Sequence, residues 1–338
     1  MITDRLEFRT IGGAEDLLAE ELGDAGLTGL ALAERRVTAS IDGPAELLDR
    51  LRLYSTASLS LGEDDEPDLD PLRRSATSGV ISTVAPAGAA VTFRVGSATG
   101  STDVPAGLRT ALTERIGAGF GWTNDPGDWL INVTRYGERW LAELGPLHWT
   151  RRFGRLERLP WSSTPVLAAT LVRMAKIGPG HLVADPFCGS GTLLVLAGLA
   201  GDDVRLFGAD RDPEAVRLAK INLDRFGVRA RLRTAPADRI ELRDQAADRV
   251  VANLPFGKQV GSHRDNERLY PAALREIGRI LDPRGRAVLL TDDKRLFTEA
   301  VQRTGGIKII RERVLGFGGV TPTAYVITPT TRSRRRGR

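Results

Sequence analysis

The sequence is poor in the side chains that build disulfides and metal centres. It has one cysteine, Cys188, in 338 residues, so an internal disulfide and a cluster of cysteine ligands are both excluded. Its three histidines, His148, His181 and His263, share no spacing typical of metal ligands. We therefore interpret Cys188 as a small packing residue and expect no metal in the protein.

Long apolar runs and targeting signals are missing as well. No run of apolar residues approaches the roughly 20 that a membrane-spanning helix needs. The first residues, Met1 to Arg5, lack the basic and then apolar regions of a signal peptide. These absences predict a cytoplasmic protein that does not associate with a membrane.

The remaining composition is that of a globular protein with an excess of basic residues. Hydrophobic residues make up 41% and charged residues 27%, and the length is sufficient for two domains. The formal net charge is +5, which favours a polyanionic partner. We interpret residues 330–338 as a basic disordered tail, whose arginines are either solvated or bind phosphates. These arginines are Arg332, Arg334, Arg335, Arg336 and Arg338.

One stretch combines a strand, a glycine turn and a helix. The apolar run Leu182 to Ala184 predicts a buried strand, Gly189 and Gly191 follow it, and the apolar segment 192–200 predicts a helix. Backbone in this arrangement approaches a nucleotide-like ligand closely, because glycine has no Cβ to block it.

The residues around this turn favour one ligand over another. A dinucleotide fingerprint has a third glycine where this chain has Leu194, so a nicotinamide-dependent dehydrogenase is disfavoured. Asp185, which ends the strand, suits an ammonium group better than a pyrophosphate. A second predicted strand, Val204 to Ala209, ends in Asp210, which is placed to accept hydrogen bonds from ribose hydroxyls. The pattern therefore predicts S-adenosylmethionine as the cofactor.

A second motif follows the predicted strand Arg249 to Ala252. It reads Asn253-Leu254-Pro255-Phe256-Gly257 and resembles the Asn-Pro-Pro-Tyr motif of methyltransferases that modify exocyclic amino groups. Together with Asp-Pro-Phe-Cys-Gly-Ser-Gly-Thr at 185–192, it resembles the THUMP-domain RNA guanine-N2 methyltransferases. The resemblance covers about residues 147–328 well and the first 146 only loosely. Leu254 replaces the first proline, which leaves the backbone carbonyl in place.

The resemblance implies a catalytic set and a cofactor-binding set. Asn253 Oδ1 and the Leu254 carbonyl each accept one hydrogen of the amine, which leaves its lone pair aimed at the methyl group. Pro255 shapes the turn, and Phe256 either stacks on the extruded base or packs in the core. Asp238, after the third predicted strand, either contacts the adenine amine or is an ordinary surface residue. The full cofactor-binding set is Asp185, Phe187, Gly189, Gly191, Thr192, Asp210, Arg211, Asp238 and Asn253.

The first 146 residues alternate short strands and helices. Residues 1–60 are predicted to form a ferredoxin-like unit. The resemblance implies a THUMP-like RNA-binding domain at 61–146, with its acidic stretch 63–70 turned away from RNA. The predicted strands are 6–10, 37–41, 91–95, 129–134 and 139–144, and the predicted helices are 15–22, 45–53, 72–84 and 106–116.

A linker at 147–164 carries Arg151 and Arg152, which either bind RNA phosphates or lie in solvent. Residues 165–329 are predicted to be a Rossmann-like class I methyltransferase domain, a doubly wound sheet with an antiparallel hairpin at one edge. Its predicted strands are 182–184, 204–209, 228–233, 249–252, 287–290, 307–314 and 324–328. Its predicted helices are 165–176, 192–200, 213–226, 266–281 and 294–304, with a turn at 282–285.

The overall prediction is an enzyme that methylates the N2 amine of a guanosine in structured RNA, with tRNA favoured. Three alternatives remain open: a ribosomal RNA guanine-N2 enzyme, a DNA adenine-N6 or cytosine-N4 enzyme, and an RNA-binding module without catalysis. The sequence predicts no oligomeric state.

Overall fold

The structure is a computed structural model that describes residues 4–41, 48, 50–78, 90–97, 101–145, 153–154, 156–255 and 263–330. The chain divides into two compact units, Met1–Gly154 and Arg155–Arg338. No helix in the described part of the chain is both long and apolar enough to cross a membrane.

The strands described in the first unit are β1 Asp4–Arg9, β2 Thr28–Ala33, β3 Arg36–Ile41, β4 Thr56–Ser60, β5 Thr92–Val95, β6 Thr123–Asn124, β7 Ile131–Tyr136 and β8 Arg139–Leu144. They form one sheet in the order β2-β3-β1-β4-β8-β7-β5-β6. The helices described in this unit are α1 Glu15–Asp24, α2 Asp70–Ser78 and α3 Ala106–Phe120. Since β4 pairs with β8, the sheet is continuous from one half of the unit to the other. Its ferredoxin-like and THUMP-like parts stay predictions.

The two faces of this sheet differ in polarity because side chains alternate along each strand. Leu6 and Phe8 point to an apolar face and are completely buried. Glu7, between them, points to the opposite face, where its carboxylate pairs with Arg139, Arg9 and Arg36. On the same polar face, Glu143 accepts hydrogen bonds from Asn132 and Tyr136.

Three strands of this unit, β2, β4 and the two-residue β6, were not predicted, and one predicted helix is not found at residues 50–53. β2 is an edge strand whose residues are almost all exposed, and β4 is rich in small residues, so neither shows a strong apolar pattern. Of the predicted helix 45–53, residues 50–53 are not helical, and 45–47 and 49 lie outside the described residues. Residues 79–84 of the predicted helix 72–84 lie outside them too.

The second unit confirms the predicted doubly wound fold. Its strands are β9 Leu182–Asp185, β10 Arg205–Asp210, β11 Arg231–Thr234, β12 Ala247–Asn253, β13 Leu281–Thr291, β14 Ile307–Val314 and β15 Thr323–Pro329. They form a sheet in the order β11-β10-β9-β12-β13-β15-β14. The first five strands pair in parallel, and β15 pairs antiparallel with both β13 and β14, which gives the predicted edge hairpin.

Local sequence explains where the helices of this unit begin. They are α4 Pro165–Ala175, α5 Thr192–Gly198, α6 Pro213–Arg225, α7 His263–Ile280 and α8 Lys294–Thr304. Thr164, Asp212 and Asp293 precede α4, α6 and α8, and each side chain accepts a hydrogen bond from a backbone N–H of the first turn. α4 and α6 also have proline in the first turn, where its missing N–H costs nothing.

The predicted turn at 282–285 lies inside the long strand β13, which begins earlier than the predicted strand 287–290. Ala247 pairs with Leu281 but Arg249 pairs with Arg286, so residues 282–285 bulge out of the ladder. Asp282 Oδ1 accepts a hydrogen bond of 2.7 Å from the Arg284 N–H inside this bulge. The strand thus pairs on both sides of a turn that the sequence located correctly.

Candidate functional site

Three polar side chains end neighbouring strands of the second sheet. Asp185 ends β9, Asp210 ends β10 and Asn253 ends β12. β9 lies between the other two strands and all three run parallel, so these residues share the carboxyl edge of the sheet. The chain reverses its winding between β9 and β12, and ligands of doubly wound sheets bind at such a point.

The glycine turn after β9 uses its two glycines differently. Both have positive φ, +50° at Gly189 and +80° at Gly191. A Cβ at Gly191 would lie 3.0 Å from the Ala219 Cβ, so this glycine lets α5 pack against α6. A Cβ at Gly189 would meet no described atom within 4 Å. Gly189 therefore borders open space, where a ligand can approach the backbone.

Asp210 holds this turn in place. Its Oδ2 accepts a hydrogen bond of 2.9 Å from the Gly189 N–H, and its Oδ1 accepts one of 3.0 Å from the Asp212 N–H. Next to it, the Cys188 N–H donates to the Ala209 carbonyl at 2.9 Å. Cys188 is buried, and burial raises the pKa of its thiol, which suits a packing role rather than a nucleophilic one.

Asp185 is completely buried with half of its carboxyl group unpaired. Its Oδ1 accepts a hydrogen bond of 3.0 Å from the Phe187 N–H, whereas its Oδ2 has no partner among the described residues. Burial raises the pKa of this carboxyl group well above its ordinary value of 3.8, and the negative charge of Asp210 raises it further. The Thr192 hydroxyl, at the start of α5, is likewise buried and has no partner in the described part of the chain.

The Asn253 side chain is held at one end and unpaired at the other. Its Nδ2 donates a hydrogen bond of 3.1 Å to Ser163 Oγ. Its Oδ1 is buried and accepts no hydrogen bond from any described residue. A buried acceptor without a partner costs free energy, so an orphan acceptor marks a place where a ligand can donate.

The turn that follows Asn253 is fixed by hydrogen bonds from elsewhere in the second unit. The Leu254 N–H donates to the Leu290 carbonyl at 2.9 Å. The Pro255 carbonyl accepts hydrogen bonds from Asn266 Nδ2 at 2.9 Å and from the Tyr270 hydroxyl at 2.7 Å. Tyr270 is buried, which raises the pKa of its hydroxyl, so this group remains a neutral donor.

The other predicted site residues vary in placement. Phe187 is half-buried against the core of the second unit. Arg211 follows β10 and Asp238 lies in a turn after β11, and both are exposed. Phe256, Arg151, Arg152 and the tail arginines lie outside the described residues, so their roles stay predictions.

Several residues that support this site belong to no motif that the sequence analysis recognised. Ser162 Oγ lies 2.8 Å from Ser190 Oγ in the glycine turn. Asn222 Nδ2, on α6, donates to the carbonyls of Ser190 and Glu157. Ser163, Asn266 and Tyr270 hold the Asn253 segment in the same way. No local pattern singles out these residues, because each partner lies far away along the chain.

Comparisons with known proteins agree with this arrangement. Residues 160–322 match the model of the UPF0020 family, described as an RMKL-like methyltransferase domain. The tRNA (guanine(6)-N2)-methyltransferase of Thermus thermophilus is 34% identical over 180 residues, which cover 53% of this chain and 53% of that protein. The tRNA (guanine(6)-N(2))-methyltransferase THUMP3 of Mus musculus is 29% identical over 189 residues, which cover 52% of this chain and 37% of that protein.

A solved structure resembles the whole chain. The crystal structure of TrmN from Thermus thermophilus matches with a TM-score of 0.74 at 28% identity, covering 96% of this chain and 99% of that one. By contrast, the matches to the two curated relatives span about half of their length or less. Residues 160–322 of the chain therefore form a methyltransferase domain of the UPF0020, RMKL-like family.

Proposed function

We propose that the protein is an S-adenosylmethionine-dependent enzyme that methylates the exocyclic N2 amine of a guanosine in tRNA. The observation that carries this proposal is the Asn253 Oδ1, a buried acceptor without a described partner, beside the glycine turn of a methyltransferase domain. The names of the relatives from Thermus thermophilus and Mus musculus support the choice of guanine N2 and of tRNA.

The residues at the carboxyl edge of the sheet fit the proposed cofactor. The unpaired Asp185 Oδ2 can accept from its ammonium group, and the unpaired Thr192 hydroxyl can bond to its polar atoms. Gly189 leaves space for it beside the backbone. Asp210 lies where ribose hydroxyls would donate, and Phe187, Gly191, Arg211 and Asp238 complete the proposed contacts. When bound, S-adenosylmethionine supplies the methyl group on a sulfonium.

The chain's own contribution to the reaction is to orient the amine. The lone pair of a guanine N2 amine is delocalised into the ring, so the amine must be held in a pyramidal form to react. Asn253 Oδ1 and the Leu254 carbonyl each accept one amine hydrogen, which turns the lone pair toward the methyl donor. Asn253 is neutral and is not a strong base, so most of the acceleration comes from positioning.

Supporting residues keep these acceptors in place. Asn266 and Tyr270 hold the Pro255 carbonyl, and this fixes the turn on which Leu254 lies. Phe256 is proposed to stack on the extruded guanine, as enzymes that act on a flipped base require. The site needs no covalent nucleophile, which agrees with the buried, weakly acidic thiol of Cys188.

We assign the binding of folded RNA to the first unit, with Arg151 and Arg152 contacting phosphates. A pocket for a single nucleotide cannot select one guanosine among many, so a second surface must recognise the shape of the RNA. The basic net charge of +5 supports a nucleic-acid partner.

The Asn253→Ala variant tests the proposal. Wild-type protein incubated with labelled S-adenosylmethionine and tRNA should produce N2-methylguanosine, detected by mass spectrometry of the nucleosides. The variant should lose about 100-fold or more in rate, because the amine loses one of its two acceptors. Thr304→Ala, which removes a hydroxyl bonded within α8, serves as the matched control and should keep full activity.

Other outcomes identify other functions. Methylation of ribosomal RNA but not tRNA would keep the chemistry and change the substrate. N6-methyladenine or N4-methylcytosine formed in DNA, with no RNA product, would replace the proposal by the DNA alternative. Binding of tRNA without any methyl transfer would leave a binding module. Equal rates for wild type and Asn253→Ala would remove Asn253 from the mechanism.

A further inference from the structure

We infer that Ser163 is a positioning residue that holds the Asn253 carboxamide in place with its Oδ1 available to the substrate amine. The inference rests on the proposed function, because it concerns the acceptor that the reaction uses. Asn253 Nδ2 donates to Ser163 Oγ at 3.1 Å, while Oδ1 has no partner in the described part of the chain.

The orientation of a carboxamide matters because its two ends have nearly the same shape but opposite hydrogen-bonding roles. The oxygen accepts hydrogen bonds, whereas the nitrogen only donates them. If the Asn253 side chain turned by half a rotation, its NH₂ would point at the NH₂ of the guanine, and two donors would face each other. The Ser163 hydroxyl can accept from the carboxamide nitrogen or donate to its oxygen, so it can hold the side chain in either orientation. The guanine amine then selects the orientation seen in the structure, in which Asn253 Nδ2 donates to Ser163 Oγ and Oδ1 stays available as an acceptor.

Ser163 can do this because its own segment is tied down on both sides. Before it, Ser162 Oγ accepts from the Leu159 N–H at 2.9 Å and lies 2.8 Å from Ser190 Oγ in the glycine turn. After it, Thr164 caps α4. Ser163 is therefore held between the cofactor side of the site and the helix, at a sequence distance of 90 residues from Asn253.

Further contacts stabilise the same segment. The Glu157 N–H donates to Asn222 Oδ1 at 2.8 Å, and Asn222 Nδ2 donates back to the Glu157 carbonyl at 2.9 Å. Asn222 also donates to the Ser190 carbonyl at 2.7 Å. One buried side chain thus holds both the segment before α4 and the glycine turn, which keeps Ser163 and the cofactor residues in a fixed relation.

The test compares Ser163→Ala with Ser163→Thr, which keeps a hydroxyl. For Ser163→Ala on tRNA, kcat should fall about tenfold. This is the loss expected when the hydrogen bond that holds the Asn253 carboxamide is removed, because Asn253 Oδ1 accepts from the amine in the transition state. The KM for tRNA, the Kd for S-adenosylmethionine and the Tm should stay within about twofold or a few degrees of wild type. Ser163→Thr should recover most of the rate, and Thr304→Ala should behave as wild type.

A spectroscopic readout that does not depend on activity accompanies the kinetics. The side-chain NH₂ of Asn253 in ¹⁵N-labelled full-length protein is assigned by its absence in Asn253→Ala. Its resonances should shift and its hydrogens should exchange faster in Ser163→Ala, and both properties should return in Ser163→Thr.

The possible failures are distinguishable. An unchanged kcat together with an unchanged Asn253 NH₂ signal in Ser163→Ala overturns the inference and leaves the proposed function standing. A loss of kcat that is accompanied by equal losses in cofactor affinity and Tm, without recovery in Ser163→Thr, overturns it in favour of a purely structural role. Wild-type protein that methylates no RNA overturns the proposed function, and the inference falls with it.

Discussion

At the scale of single residues, the site combines buried polar atoms that the fold leaves unpaired. Asp185, Thr192 and Asn253 each carry one such atom within the described part of the chain. Each costs stability in the free protein, since a buried polar group without a partner has lost its hydration. The unpaired atoms thus lower the stability of the free protein and leave acceptors and donors ready for a ligand.

Asp185→Asn should make the protein more stable and less able to bind S-adenosylmethionine. Below pH 3.8 the carboxyl group is protonated whether the chain is folded or unfolded. As the pH rises further, the unfolded chain releases this proton while the buried carboxyl group keeps it, so wild-type stability falls until the pH passes the raised pKa. The loss is about 1.4 kcal/mol for each unit by which that pKa exceeds the ordinary value.

Asparagine cannot ionise, and its Oδ1 can still accept from the Phe187 N–H. Urea unfolding at pH 5 and pH 7 should therefore show a smaller decline of the unfolding free energy for Asp185→Asn than for wild type. Calorimetry should show cofactor affinity at least about tenfold weaker, because the asparagine Nδ2 replaces the Oδ2 acceptor and cannot accept from the ammonium group. Equal pH dependence of stability in the two proteins would contradict the assignment of this decline to Asp185.

At the scale of elements, the glycine turn joins a strand, two helices and the ligand space. α5 starts at the residue after Gly191, and Ala219 on α6 lies against that glycine. Gly191 therefore lets the two helices pack together, and Gly189 lets a ligand approach the backbone. Replacing each glycine by alanine separates these two roles.

Gly191→Ala should destabilise the fold, and Gly189→Ala should mainly impair cofactor binding. At Gly191 the added methyl group meets the Ala219 Cβ at 3.0 Å and the φ of +80° is unfavourable, so a loss of about 2–4 kcal/mol is expected. At Gly189 only the positive φ opposes alanine, so the loss should be about 1–2 kcal/mol. Chemical unfolding and calorimetry on both variants measure the difference. A larger loss of stability in Gly189→Ala would reverse the assignment.

At the scale of the whole molecule, the chain consists of two compact units with different surfaces. The second unit carries the methyltransferase domain, and most residues of its strands β9, β10, β12, β13 and β15 are buried or half-buried. The first unit has a sheet with one apolar and one polar face, and arginines are prominent on the polar face. We expect cofactor binding and RNA binding to be divided between the units accordingly.

Removal of residues 1–146 should abolish tRNA methylation while S-adenosylmethionine binding persists. The remaining segment contains every proposed cofactor contact, whereas the surface that recognises folded RNA is lost. Calorimetry with the cofactor and circular dichroism show whether the fragment is folded, and nucleoside mass spectrometry measures its activity on tRNA. A folded fragment that methylates tRNA as well as the full chain does would show that the first unit is not needed for recognition.

The sequence by itself determined the class of the second unit and the residues at its strand ends. A strand, a glycine turn and a helix follow one another within 182–198, so their pattern is local and visible. The asparagine motif comes directly after a strand in the same way. Each of Asp185, Asp210 and Asn253 was predicted at the end of a strand, and parallel strands of one sheet place their carboxyl ends together, so the three residues share an edge.

Only the tertiary structure decided what orients and supports those residues. Ser163 reaches Asn253 across 90 residues, and Asn266 and Tyr270 reach Pro255 from helix α7. A serine or an asparagine is common in any loop or helix, and its partner depends on the path of the whole chain. For the same reason the sequence did not predict the exposed edge strand β2 or the small-residue strand β4. Neither has an apolar pattern of its own, and both form by pairing with neighbouring strands.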